Sequence, residues 1–234
     1  MAKQDRAIRT RKTILAAAAR VFEERGYQAA TITEILKTAG VTKGALYFHF
    51  QSKEDLAHGV LSEQDQRLVV PERPSKIQEI VDVVTLHAHR LRTDPMVRAG
   101  VRLSLDQQAH ALDRSGPFLR WGEILVDLLD ASQARGELLP HVEPKETAEV
   151  LVGAFAGVQA MSQAVSGYQD LADRVCALLR HLLPNVALSS VLASVTLSAE
   201  RGEAVYRELA EADAAEAAAV EAAAAVEAEG VPVG

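Results

Sequence analysis

Apolar positions along this chain recur every three to four residues, the period of an α-helix, and no run alternates with the period of two that a half-buried strand needs. Ile8, Ile14, Leu15, Ala18, Val21 and Phe22 share one helical face, and the run stops at Gly26, a residue able to close a helix in the left-handed conformation. A first helix is therefore predicted over about residues 4–25. Thr31 with Glu34 forms a capping box, in which the threonine oxygen accepts an orphan backbone N–H and the glutamate reaches back. It opens a short second helix that carries Ile32, Ile35, Leu36 and Ala39 inward. Gly40 permits a tight turn, and Thr42 can cap a third helix, with Val41 and Leu46 as its hydrophobic staple. Ser52 with Asp55 is another capping box and opens a strut helix expected over 53–67, with Leu56, Val60 and Leu61 on one face.

Pro71 and Pro74 cannot donate to a helix ladder, so residues 68–75 read as a linker. The same grammar then repeats. Ser75 with Gln78 caps a helix to about 92, Asp94 and Pro95 begin the next, Pro117 begins one that stops at Gly136, and Pro144 opens one to about 166. A further helix is predicted from Tyr168 to Pro184 and a last one over 188–209. Residues 210–229 hold twelve alanines with little side chain to bury and read as a frayed acidic helical tail without a function. The fold class is all-α: a three-helix N-terminal domain of residues 1–53, a larger helical domain of 54–209 and a low-complexity tail of 210–234.

A length of 234 residues allows a small domain joined to a larger one. The composition, 48% hydrophobic and 24% charged, is that of a folded globule. The net charge of −7 would argue against a nucleic-acid partner, but its distribution reverses the argument: residues 1–53 carry a net +6 and the remainder −13. A basic head on an acidic body suits a head that meets a polyanion. No stretch approaches ~18 uninterrupted apolar residues, and the start, MAKQDRAIRTRKT, is basic where a secretory signal is apolar. Neither export nor membrane association is expected. The single cysteine, Cys176, lies in an apolar helical run and reads as a small buried hydrophobe, which fits a reducing cytoplasm.

Residues 31–50, TITEILKTAGVTKGALYFHF, match the rule for a helix-turn-helix: two short helices about a glycine turn, the second sized for the major groove. Ile35, Leu36, Val41, Leu46 and Phe50, with Phe22 from the first helix, can close a small core, which leaves Thr42, Lys43, Gly44, Tyr47 and His49 facing outward. Lys43, in the first turn of the recognition helix, can reach guanine O6 and N7, and Gly44 lets the backbone approach the duplex. Thr42, Tyr47 and His49 offer hydroxyl or ring N–H groups to phosphates. Thr31, Thr33 and Lys37 lie on the preceding helix and Lys53 starts the strut, all positioned to orient the head more than to read sequence. The basic arm of Lys3, Arg6, Arg9, Arg11 and Lys12 would clamp phosphates beside them. The bland alternatives are an ordinary helical hairpin with a solvated face and, for Lys43, a solvated surface lysine.

The run TITEILKTAGVTKGALYFHFQSKEDL, preceded by VFEERGYQAAT, resembles the DNA-binding domain of the TetR family of bacterial repressors. VTKGALYFHF, the body segment RAGVRLSLDQQ and the run GPFLRW around Trp121 are similar to the γ-butyrolactone autoregulator receptors of actinobacteria. The resemblance covers residues 1 to about 185 and leaves out the alanine-rich tail. It implies an Ω-shaped homodimer whose two heads read palindromic double-stranded DNA and whose bodies hold a small hydrophobic lactone effector. Ligand would move the strut, so that the heads no longer match major grooves about 34 Å apart.

The resemblance also implies that Trp121 lines the ligand cavity, where otherwise it would simply fill a core. Phe155, Val158, Gln159 and Ser162 fall at helical spacing on the helix from Pro144, and Gln159 and Ser162 would give an apolar cavity its few polar contacts. Gln64 near the end of the strut could touch ligand and pass its movement to the head. Gly153 and Gly157 permit close helix packing, within the chain or between two copies. No catalytic centre is expected: the chain has no Gly-x-Ser-x-Gly elbow, phosphate loop or Cys-x-x-Cys pair. No metal or cofactor is expected either, since His87 and His89 lie two apart and diverge on a helix, and the i, i+4 pair Glu54 and His58 is common on helix surfaces. Three rival readings stay open: a same-fold regulator answering another hydrophobic molecule such as an antibiotic, a ligand-independent DNA-binding protein, and an enzyme or carrier on a helical bundle.

Overall fold

Fold class follows from the helical period: the computed structural model is built of helices, and its one β pairing among the described residues is an isolated antiparallel bridge between Leu138 and Ala187. The structure describes the backbone of residues 2–65, 71–106, 109 and 112–229, and side chains over 4–63, 71–106, 109 and 112–219. In chain order the helices are α1 (Ala2–Ala29), α2 (Ile32–Ala39), α3 (Lys43–His49), α4 (Lys53–Asp65), α5 (Lys76–Thr93), α6 (Pro95–Leu105), α7 (Ser115–Ala134), α8 (Pro144–Ser166), α9 (Leu171–Leu182), α10 (Ser189–Leu192) and α11 (Arg201–Glu229). A 3-10 turn, Leu183–Asn185, follows α9.

The N-terminal caps form as the sequence requires. Glu34 N donates to Thr31 Oγ1 at 3.2 Å while Thr31 N donates to the Glu34 carboxylate at 3.1 Å, and Ala45 N donates to Thr42 Oγ1 at 3.2 Å. Gly40 closes α2 at φ 65°, a left-handed value that a side chain would strain. Gly26 interrupts α1 where the first helix was expected to stop, and one more turn follows it. The cap at Ser52 differs in detail: Asp55 N donates to Ser52 Oγ, but the Asp55 carboxylate accepts from Gln51 N rather than Ser52 N.

Four boundaries differ from the expectation. α7 begins two residues before Pro117, and α9 begins at Leu171 because Tyr168, at φ 70°, belongs to the turn that ends α8. The last predicted helix is split between Leu192 and Arg201, where Thr196 N donates to Gln78 Oε1 and the Thr196 carbonyl accepts from Gln78 Nε2, which engages the backbone there outside a helix. α11 then runs through residue 209 without a break, so the tail continues a packed helix instead of starting a separate segment. The end of the predicted strut, at 66–67, and residues 68–70 of the linker lie outside the described residues.

Two apolar cores organise the chain. One gathers Ile14, Leu15, Phe22, Ile35, Leu46 and Phe50 with Leu56, Ala57, Val60 and Leu61 of α4, so α4 packs with the head and the expected boundary at residue 53 divides no core. The other gathers α5, α7, α8 and α9 around Ile77, Val81, Leu125, Leu129, Leu151, Val175 and Leu179. α6 serves both: Val97 and Val101 face the body core, and Ala99 and Leu103, on the opposite side, face the head core. Cys176 is buried in α9, as expected, and burial pushes its thiol pKa up.

α11 is fastened to α5 at its start. A Cβ on Gly202 would overlap the Thr85 carbonyl, so only glycine allows this approach. Arg201 and Arg73 both reach the fully buried carboxylate of Asp82, at 2.6–2.7 Å, and Arg73 also pairs with Glu208 of α11 at 2.6 Å. The linker that follows the strut is thereby tied to both helices.

Candidate DNA-binding head and effector cavity

α2 and α3 meet about the Gly40 turn and present an outward face of α3 above a closed core. Leu46 and Phe50 are buried, whereas Lys43, Gly44 and Tyr47 are exposed and His49 is half-buried. The Lys43 ammonium lies 5.8 Å from the centroid of the Tyr47 ring, one helical turn on, an arrangement that holds the cation at the surface without neutralising it. Nothing stands within 4 Å of where a Cβ would project from Gly44, so the backbone there is open to an approaching partner. Thr33 and Lys37 are exposed on α2, and Arg6, Arg9 and Lys12 are exposed along α1.

Several residues expected at phosphates are otherwise engaged. Lys53 donates all its hydrogen bonds inward, to the carbonyls of Tyr27 at 2.9 Å, Ala30 at 3.1 Å and Gln28 at 3.3 Å, and its ammonium lies 4.6 Å from the Tyr27 ring centroid. It caps the end of α1 from α4 and is a structural lysine. Arg11 sits 5.2 Å over the Phe50 ring and pairs with Glu63 of α4 at 3.5 Å, which turns it away from the arm. The hydroxyls of Thr31 and Thr42 serve their helix caps. The Lys3 side chain lies outside the described residues.

In the body, α5, α6, α7 and α8 enclose a narrow, largely apolar cavity of about 50 Å³, partly open to solvent. Trp121 and Phe155 face each other across it with ring centroids 6.5 Å apart and planes inclined by 15°. His87 meets Trp121 edge-on at 4.7 Å and Phe155 at 5.3 Å. Burial, with Arg90 nearby, lowers the His87 pKa to about 3, so the imidazole is neutral at physiological pH. Gln159 also lines the cavity, 5% exposed, and its Oε1 is buried without a hydrogen-bond partner. A buried acceptor left unpaired costs about 1–3 kcal/mol, so the site favours a guest that donates a hydrogen bond there.

The cavity is coupled to the head through one helix. Val101, Ser104 and Leu105 of α6 line it, and from the same helix Arg98 pairs with the Glu23 carboxylate while Arg102 donates to the Glu23 carbonyl. Glu23 lies near the end of α1. A displacement of α6 by a guest would therefore act on α1 directly.

A model of the bacterial regulatory proteins of the tetR family matches residues 14–60, from α1 into α4. The A-factor receptor protein of Streptomyces griseus is 40% identical over 218 residues, spanning 91% of this chain and 78% of that protein. The chain belongs to the TetR family of bacterial regulators. Among solved TetR-family structures, TylP from Streptomyces fradiae matches with a TM-score of 0.81 and 47% identity, over 87% of this chain and 98% of that one. A gamma-butyrolactone receptor described as ArpA-like matches with a TM-score of 0.68 and 32% identity, over 85% and 98% of the two chains. As a TetR-family protein the chain is a DNA-binding regulator and not an enzyme.

For this TetR-family regulator the structure brings Trp121, Phe155 and Gln159 together, as expected, but separates two of their companions. Ser162 is fully buried with its hydroxyl on Asp170 at 2.6 Å; with Ser166 and Arg174 it holds the α8–α9 turn, and these bonds lower the Asp170 pKa to about 2. Val158 packs against the body core and is not among the residues lining the cavity. The Gln64 side chain lies outside the described residues. Sequence reasoning missed His87 as a cavity residue, because the helical period placed it relative to His89 but not relative to Trp121. It also passed over Phe48, whose exposure the buried neighbours Leu46 and Phe50 at i−2 and i+2 on a helix already implied.

Proposed function

We propose that this protein is a repressor that binds a palindromic operator as a homodimer in the cytoplasm. A γ-butyrolactone or butenolide-type signal releases it, and the genes it controls serve secondary metabolism. The observation that carries the ligand reading is the unpaired Gln159 Oε1 in a cavity walled by Trp121, Phe155, His87, Ser104 and apolar side chains. An amphipathic small molecule with one well-placed hydroxyl suits such a site: its chain replaces water against the rings and its O–H reaches the amide oxygen. The similarity to the A-factor receptor and to the ArpA-like gamma-butyrolactone receptor supports the same class. Lys43 is the proposed base reader; Arg6, Arg9, Lys12, Thr33, Tyr47 and His49 are the proposed phosphate contacts.

Dimerisation is supported by α8. Val150, Gly153, Gly157, Met161 and Val165 recur at three- and four-residue spacing and form an exposed stripe, with open space where a Cβ would project from either glycine. α8 is the one helix among the described residues long and apolar enough to cross a membrane; it packs on α7 and α9, and its bare stripe fits a second copy of the same helix.

Fluorescence anisotropy on a labelled duplex from the protein's own upstream region, at stated salt, tests the reading. Specific binding reversed by a member of a butyrolactone and butenolide panel is the expected result, with Trp121→Ala retaining DNA binding and losing release. The narrowness of the cavity favours one alternative, a regulator answering a smaller or different hydrophobic molecule. Specific binding that no lactone reverses would move the reading there.

A further inference from the structure

Phe48 is the most exposed large apolar side chain among the described residues, 79% accessible, and it stands on the recognition helix. Its neighbours Leu46 and Phe50 close the head core, so the ring is not a misplaced core residue. It has no hydrogen-bonding atom and cannot hold a phosphate. Its ring meets that of the neighbouring His49 at 87°, with centroids 5.0 Å apart.

Its position explains what it can meet. Phe48 lies four residues after Gly44, on the same face of α3, and side chains on a helix lean toward its N-terminus. The ring therefore stands at the rim of the open space over Gly44, where a Cβ would meet no atom within 4 Å. Lys43 and Tyr47 form the adjacent stripe of the same helix. The result is a cationic reader beside a bare notch with an apolar wall. In the major groove the one apolar group that a base edge presents is the C5-methyl of thymine.

We propose that Phe48 reads a thymine methyl in each operator half-site, with Gly44 providing the clearance for that base edge to enter. The assignment rests on the DNA-binding reading above and adds a second base-specific contact to the one expected of Lys43. Where Lys43 selects a guanine by hydrogen bonds, Phe48 selects a neighbouring thymine by contact.

The test uses the full-length protein and a duplex that it enriches from a random-sequence pool. Each thymine is replaced in turn by deoxyuridine, which removes the methyl and leaves every hydrogen bond in place. For the wild type, one thymine per half-site is expected to weaken binding about fourfold on substitution, the change that ~0.8 kcal/mol for one methyl-sized group sets. Phe48→Ala is expected to bind the thymine and uracil duplexes equally, and Phe48→Leu to keep part of the difference. Because the ring is exposed, these variants keep the fold. Methyl dependence at no position, or full methyl dependence in Phe48→Ala, would overturn the proposal while leaving the repressor reading intact. A pool from which no sequence is enriched would overturn both.

Discussion

Lys43 and Lys53 are the same residue ten positions apart, and the structure gives them opposite employment. Lys43 has its ammonium at the surface of the recognition helix; Lys53 spends its donors on three carbonyls at the end of α1. Replacing Lys43 with Ala is expected to cost roughly 1–3 kcal/mol of operator binding and to relax base preference at one or two half-site positions, read by competition with single-base variants. At His87 the same scale predicts a pH effect. Native His87 stays neutral down to about pH 3, whereas the unfolded chain takes up its proton near 6.5, so protons favour the unfolded state between those values. Stability is full above pH 6.5 and falls as the pH drops, by up to about 1.4 kcal/mol per unit from this group. Urea unfolding between pH 6.5 and 4.5 should show that slope in the wild type and a shallower one in His87→Leu. The window stays above the range in which Asp170 loses its charge.

Elements were legible where a local signal sets them. The capping box at Thr31, the cap at Thr42, the Gly40 turn and the starts at Pro95 and Pro144 are chemistry within four residues, and they appear as read. Signals that depend on distant chain were not legible. Ser75 does accept from Gln78 N, but the Gln78 side chain turns to Asp82 and to the backbone of Thr196, and the N-terminus of α5 is instead completed by Glu137, which accepts from Lys76 N at 3.2 Å and Ile77 N at 3.0 Å. The clasp of Lys53 on α1 is of the same kind and yields a prediction at this scale. Lys53→Met should destabilise the protein by about 1–2 kcal/mol in thermal or urea unfolding. It should leave the salt dependence of DNA binding unchanged, whereas loss of a phosphate contact would lower that slope by about 0.9.

For the whole molecule the deciding feature is that two cores share α6. The cavity residues Val101, Ser104 and Leu105, the α1 partners Arg98 and Arg102 beside them, and the head-core residues Ala99 and Leu103 all lie within the eleven residues of this helix. A guest that shifts this helix has a rigid path to the head, which is the physical content of release by ligand. The α8 stripe belongs to this scale too. Val165, 68% exposed, is expected to be buried between two copies, so Val165→Glu should shift the protein toward monomer in light scattering and weaken binding to a full palindrome far more than to a half-site.

The helical period, the caps and the charge asymmetry between the first 53 residues and the rest determined the all-α class, the helix-turn-helix and the basic head without any tertiary information. Each depends on residues within a turn or two of one another, or on a sum over a segment. Tertiary packing alone decided that α4 belongs to the head core, that Lys53 caps the end of α1, that Arg11 pairs with Glu63, that Ser162 serves a turn and that His87 joins Trp121 and Phe155 at a cavity. Those outcomes turn on which helix meets which, and the partners lie tens of residues apart except for Ser162 and Asp170, which are eight apart across the turn between α8 and α9. The period of one helix shows which side chains share a face, and only the neighbour supplied by the fold shows what that face is for.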